Sequence, residues 1–137
     1  MTLVMREADV LRVLDMDAVI GAVENAMREL GQGVAQNEPR RRVFAPGGLL
    51  NVMFATYPGG GCTGLKAYPV ARGTARFLVT TFALDGTLQA LIEAEHIGAY
   101  RTGAASTVAG RSCGPTARKR AASMSSRYFT ICEYGFE

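Results

Sequence analysis

The chain has 137 residues, 48% of them hydrophobic and 20% charged, with a net charge of +3. That length suits one globular domain, and the charge is too mild and too scattered for a nucleic-acid-binding tail: the densest basic runs are "PRRR" (39–42) and "ARKR" (117–120). Cys62, Cys113 and Cys132 have no CxxC spacing and His96 is the single histidine, which speaks against a disulfide scaffold and against a metal cluster. The first residues carry no secretory apolar core, and no run approaches the roughly 18 apolar residues of a membrane span. A reduced, cytoplasmic setting without membrane or nucleic-acid partners is the expectation.

Along the chain, "TLVM" (2–5) reads as a short strand, and Ala8, Leu11 and Leu14 have helical spacing. Met16, Val19, Ile20, Val23, Ala26, Met27 and Leu30 then recur at i, i+3, i+4, the pattern of a helix with one buried stripe. Asp15 is its candidate N-cap, and Gly31 or Gly33 its C′ residue. After "NEP" the period changes. "LLNVMFATY" (49–57), "GLKAYPVA" (64–71), "RFLVTTFAL" (76–84) and "LQALIEA" (88–94) are rich in strand formers, separated by "APGG", "PGGG", "RGT" and "LDGT". Asp-Gly in the last suits the positive φ angles of a tight hairpin. Four strands at short spacing predict an antiparallel sheet with helices before and after it, an α+β fold. "PGGGCTG" (58–64) lacks Gly-Lys-Ser/Thr and precedes no helix, so it reads as a long hairpin loop rather than a phosphate-binding loop. From Glu95 the pattern is helical again.

Three cations stand out by position. Arg40 follows Pro39 ahead of the strand region, Lys66 lies inside an apolar strand, and Arg101 opens "RTGAAS" (101–106). Strand alternation puts Lys66 on the same face as Tyr68. Lys66 either faces solvent on the wet side of the sheet or lies in a pocket, where it could bind a carboxylate or act as an acid or base. Arg101 is either a helix-surface arginine or a bidentate carboxylate anchor. The small residues after it would let a ligand approach the backbone, and a helix start there would offer free amides to a phosphate. Close packing of two elements is the alternative reading of the same small residues.

Taken together, "PRRR", "VMFATY", "GLKAYPV" and "DGTLQALIEAEHIGAYRTGAAS", in that order, resemble the ornithine cyclodeaminase/mu-crystallin family over residues 3–110. The resemblance implies a dimeric, NAD(P)-dependent protein whose α+β substrate and dimerisation domain accompanies a Rossmann domain. It implies chemistry on an amino or imino acid: ornithine cyclodeamination, amino-acid dehydrogenation or ketimine reduction. It assigns Arg40, Lys66 and Arg101 to the substrate carboxylate, and Thr102, Gly103 and Ala104 to the nicotinamide side of the cofactor. Phe54 stands where the family often has proline, and Arg76 stands near the place of a substrate-binding threonine.

No G-x-G-x-x-G follows, so the Rossmann domain and the family's catalytic aspartate are expected to be missing from these residues. Residues 1–110 are expected to form a partial substrate and dimerisation domain, and 111–137 a divergent tail. Reading residues 113–120 one base out of register permits Arg-Pro-Asp-Gly-Glu-Lys-Ala, a polar connection, so a frameshifted or disordered tail is expected. On that reading the chain is an N-terminal fragment, inactive alone. The alternative is a non-catalytic small-ligand-binding or dimerisation module.

Overall fold

The computed structural model describes residues 1–112. Its elements follow the chain as β1 (Leu3–Met5), α1 (Glu7–Val13), α2 (Met16–Gly31), β2 (Gln36–Asn37), β3 (Arg41–Ala45), β4 (Gly48–Tyr57), β5 (Cys62–Ala71), β6 (Thr74–Ala75), β7 (Leu78–Ala83), β8 (Leu88–Glu93) and α3 (Glu95–Ser112). The chain divides into two compact units: residues 1–13 with 26–95, and residues 14–25 with the segment from 96 onward.

The first unit is built on one sheet with strand order β1-β8-β7-β5-β4-β2; β3 also pairs with β4, and β6 with β5. The fold is α+β, as expected, but the sheet is mixed rather than wholly antiparallel. β1 lies parallel to β8, Val4 opposite Leu91. This pairing joins segments far apart in sequence, so no local turn signal announces it. The sheet has eight strands, not four, because the short β1, β2, β3 and β6 fill in along its edges.

β4 and β5 form the central hairpin, paired from Gly48 opposite Ala71 to Tyr57 opposite Cys62. The glycine-rich loop between them is short: a single 3-10 turn, Pro58–Gly60, closed by Gly61 at φ +67°. Its Gly59 N–H donates to Glu29 Oε2 at 3.0 Å. At the opposite end, Pro46 and Gly47 join β3 to β4. Gly47 takes φ +81°, suiting a turn with proline at its first central position and glycine at its second. Between β7 and β8, Gly86 N–H donates to Ala83 O and Ala83 N–H to Thr87 O. Gly86 alone carries the positive φ there, since Asp85 keeps the ordinary sign. Asp85 acts instead through its side chain, accepting from Thr87 N–H at 2.8 Å.

The helices show their start and stop signals. Asp15 caps α2 by accepting from Ala18 N–H at 2.8 Å. At the other end Gly33, at φ +74°, donates to Leu30 O while Val34 N–H donates to Glu29 O, so Gly33 and not Gly31 is the C′ glycine. The apolar stripe of α2 is only partly covered: Ile20 is buried, whereas Met27 and Leu30 are exposed. At the start of α1, Asp9 accepts from Arg6 N–H at 3.1 Å, the return half of a capping box.

Among the described residues the first unit buries Val10, Ala35, Tyr68, Ala90 and Ala94, and only Val10 combines size with full burial. Large apolar side chains remain outside. Val43, Leu50, Phe54 and Leu78 share one face of the sheet by register, and all four are exposed. α3 continues unbroken to Ser112, past Gly110. The expected frameshifted or disordered tail otherwise falls on residues 113–137, outside the described residues.

Candidate functional site

The face opposite that apolar row carries the candidate site. Register places Asn51 against Tyr68, Met53 against Lys66, and Lys66 against Val79, so these side chains project together. Lys66 and Tyr68 share a face, as alternation requires. Lys66 is half-buried rather than fully solvated. Its Nζ lies 4.3 Å from the centre of the Phe77 ring and 5.6 Å from that of Tyr68. The two rings pack at 4.9 Å, tilted by 40°.

Arg40 reaches the same place from the segment before β3, its guanidinium carbon 5.8 Å from the Tyr68 ring centre. The neighbouring arginines go elsewhere. Arg41 pairs with Glu38 at 3.6 Å. Arg42 Nε donates to Oδ1 of the buried Asn51 at 3.1 Å. The structure therefore brings Arg40 and Lys66 together around one aromatic ring. Each such contact contributes on the order of 0.5–1 kcal/mol at exposed sites. Two like charges beside one low-polarity surface also raise the local potential, which a bound carboxylate would lower.

Lys66 also lines a cavity of about 250 Å³ whose other walls include Met53, Ala55, Cys62, Val79 and Thr81. A second cavity, about 290 Å³, is lined by Glu7, Glu93 and Glu95 with Arg76, Pro69, Phe77 and Leu78. Its carboxylates are occupied with structure. Glu93 accepts from Glu7 N–H at 2.9 Å and pairs with Arg6 at 2.7 Å. Glu7 in turn accepts from Glu95 N–H at 3.0 Å. Each glutamate thus tends the first turn of a helix. The Glu7 amide first, and then the Arg6 side chain, hold the Glu93 carboxyl below its ordinary value. Arg76 Nη1 stands 3.6 Å from Glu95 Oε1. Arg76 is thereby held by a carboxylate, and the side chain from this segment that reaches Lys66 is its neighbour Phe77.

Arg101 belongs to the second unit. It is exposed, on a helix that began at Glu95. The amides of Thr102 to Ser106 therefore lie inside a helix, which overturns the expectation that a helix start there offers free N–H groups to a phosphate. Thr102 Oγ1 donates to Gly98 O at 2.8 Å, Ser106 Oγ to Thr102 O at 3.1 Å and Thr107 Oγ1 to Gly103 O at 3.0 Å. Thr102 is half-buried; Gly103 and Ala104 are buried.

Neither glycine-bearing segment fits the phosphates of a dinucleotide. In the β4–β5 loop, the Gly59 amide already faces the Glu29 carboxylate, and a Cβ on Gly60 would strike the Tyr57 ring. No group of three His, Cys, Asp or Glu side chains suited to a metal occurs among the described residues. No helix among them is long and apolar enough to cross a membrane.

Of the residues expected from the amino-acid sequence, Arg40 and Lys66 meet at the Tyr68 ring, while Phe77 and Asn51, which lie beside that ring, were not among those expected. Phe77 reads as an ordinary strand residue until β7 is set beside β5. Asn51 is a lone polar residue in an apolar run, a signal that could have drawn attention to it.

Two cations beside a packed aromatic pair, on an α+β scaffold, can hold a small organic anion. The profile of the Ornithine cyclodeaminase/mu-crystallin family matches residues 1–125, and the chain belongs to that family. Solved structures agree in fold. A probable ornithine cyclodeaminase from Bordetella pertussis Tohama I superposes with a TM-score of 0.75 at 28% identity, over 80% of this chain and 36% of that one. A Thermococcus litoralis Δ1-pyrroline-2-carboxylate reductase, solved with NADH and L-proline, gives 0.71 at 25% identity over 79% and 36%. An archaeal alanine dehydrogenase dimer with bound NAD gives 0.74 at 23% identity, over 96% and 53%, a likeness of fold alone. The chain thus spans between about a third and about half the length of these proteins. A comparison with curated proteins finds no match.

Proposed function

We propose that this chain supplies the substrate-carboxylate site of an NAD(P)-dependent protein acting on an amino or imino acid, with residues 1–110 as its substrate-binding and dimerisation portion. The observation that carries this is the convergence of Arg40 and Lys66 on Tyr68. A guanidinium and an ammonium can grip a carboxylate from two directions and fix the adjacent carbon, the carbon where hydride chemistry occurs in dehydrogenation, cyclodeamination and ketimine reduction. Arg101 as a further carboxylate ligand, and Thr102, Gly103 and Ala104 at the nicotinamide side, are assigned by family resemblance.

The test is a calorimetric titration of the chain with an L-amino acid and with the amine lacking its carboxylate. Binding of the acid, none of the amine, and loss of binding in Lys66→Met is the expected result. Equal binding of acid and amine would sink the reading.

A second reading, a dimerisation module, is favoured by the exposed row Val43, Leu50, Phe54 and Leu78. An apolar face of that kind favours a second copy of the chain. Sedimentation equilibrium distinguishes a dimer from a monomer directly.

A further inference from the structure

We propose that Arg42 is a second anion anchor, so that the substrate is a dicarboxylic amino or imino acid. This rests on the carboxylate reading above, with Arg40 at the first carboxylate. The three arginines of "PRRR" divide by their partners. Arg41 shares its sheet face with Val43 and is paired with Glu38 at 3.6 Å. Arg40 and Arg42 reach the other face. The Arg40 guanidinium carbon lies 5.8 Å from the Tyr68 ring centre. Arg42 is held one strand over from Tyr68, its Nε donating to Asn51 Oδ1 at 3.1 Å. Register sets Arg42, Asn51 and Tyr68 in one row across β3, β4 and β5. The two guanidinium groups therefore flank a single cross-strand pair, Asn51 and Tyr68, whose Cβ atoms stand about 5 Å apart. A short diacid spans a gap of that order.

The way Arg42 is held fits it for an anion. Asn51 is 3% exposed, a buried amide at a fixed place. It engages only Nε, which leaves both terminal nitrogens of Arg42 for a ligand. Those nitrogens form one edge of a planar fork that matches a carboxylate. A side chain already ordered loses less entropy when the ligand arrives. Among the described residues no carboxylate pairs with Arg40 or Arg42, whereas Arg6, Arg12, Arg41 and Arg76 each have one. The one acidic residue in the described strands, Glu93, stands opposite Leu78 and so belongs to the other face. Two like charges held close repel each other. A dianion relieves that repulsion at both guanidinium groups, and a monoanion at one. A carboxamide in place of the second carboxylate offers one acceptor oxygen instead of two, and no charge.

The test is calorimetric titration of the 137-residue chain with two near-isosteric pairs, L-aspartate against L-asparagine and L-glutamate against L-glutamine. In at least one pair the diacid is expected to bind about tenfold or more tighter, the scale of one hydrogen bond to a charged group. Arg42→Met is expected to bring that ratio to within about twofold of unity. Arg41→Met removes the same formal charge from the other face and is expected to leave the ratio in place. Ratios near unity in both pairs overturn the proposal on the unaltered chain, without recourse to any variant. A ratio that survives Arg42→Met, or that falls equally in Arg41→Met, overturns it too. After any of these results the first carboxylate site still stands if Arg40→Met weakens all four ligands together. If Arg40→Met leaves all four unchanged, the carboxylate reading itself fails and the proposal with it. Absence of binding by all four overturns both.

Discussion

Lys66 Nζ stands 4.3 Å from the centre of the Phe77 ring. The ring belongs to the residue just before β7, and the ammonium to the middle of β5. An aromatic face steers the long side chain of a cation to one place. Phe77→Leu preserves apolar bulk but removes the π face. Carboxylate affinity is expected to fall by about 2–5-fold, the equivalent of one exposed cation–π contact. Calorimetry on the variant checks this; unchanged affinity would mean the ring does not position Lys66.

Removing the charge itself has a larger effect. Lys66→Met is expected to weaken carboxylate binding by about 10–100-fold, since a hydrogen bond to a charged group contributes about 1.5–3 kcal/mol. Lys66→Arg retains the charge and is expected to restore part of that loss. Folding should persist in both, because Lys66 is only half-buried.

Glu93 gives the fold a defined acid sensitivity. Its carboxyl is held below the ordinary 4.5 by the Glu7 amide first and then by Arg6. A depressed folded pKa means that the contribution is complete above the unfolded value and is lost as pH falls through the folded one. Thermal midpoints are therefore expected to be flat from neutral pH down to about 5 and to drop below about 4, less steeply in Glu93→Gln. A pH series of melting curves on both proteins tests the slope; identical slopes would remove Glu93 from the account.

Arg72 is the one described non-glycine residue with positive φ, at +51° beside Gly73 at +75°. The two residues join β5 to β6 as a tight two-residue turn. Asn-Gly is the preferred pair for such a turn, and asparagine tolerates the left-handed region better than arginine. Arg72→Asn is expected to raise stability by about 0.5–1 kcal/mol in urea unfolding. A loss of stability would show that the Arg72 side chain makes a contact outweighing the backbone strain.

The exposed row on the other face offers a separate test. Phe54→Lys places a charge among Val43, Leu50 and Leu78, and is expected to shift a self-associating chain toward monomer in sedimentation.

The features legible in the amino-acid sequence are those with local causes. Asp15 announces its helix because a carboxylate satisfies free amides at a first turn. Gly47 and Gly86 mark their turns because few other residues accept a positive φ. Alternation alone places Lys66 and Tyr68 on one face. The features that escape such reading depend on which strands become neighbours. β1 pairs with β8 although nothing in "LVM" specifies a parallel partner. Phe77 joins the site, and its neighbour Arg76 is held by Glu95, only once β7 is laid against β5. The small residues after Arg101 are legible as unusual, but their place inside a helix and not at its start depends on where α3 begins.

The β1–β8 pairing also governs when the fold can form. Glu93 anchors the Glu7 amide across 86 residues of chain, and Val4 finds its partner only at Leu91. A ribosome will have finished both central strands before the first strand has anywhere to dock. Until then β8's outer edge does not exist and the opening segment must wait unpaired. Such long-range closure slows folding relative to hairpin formation, so β1 stays unprotected until β8 has been synthesised.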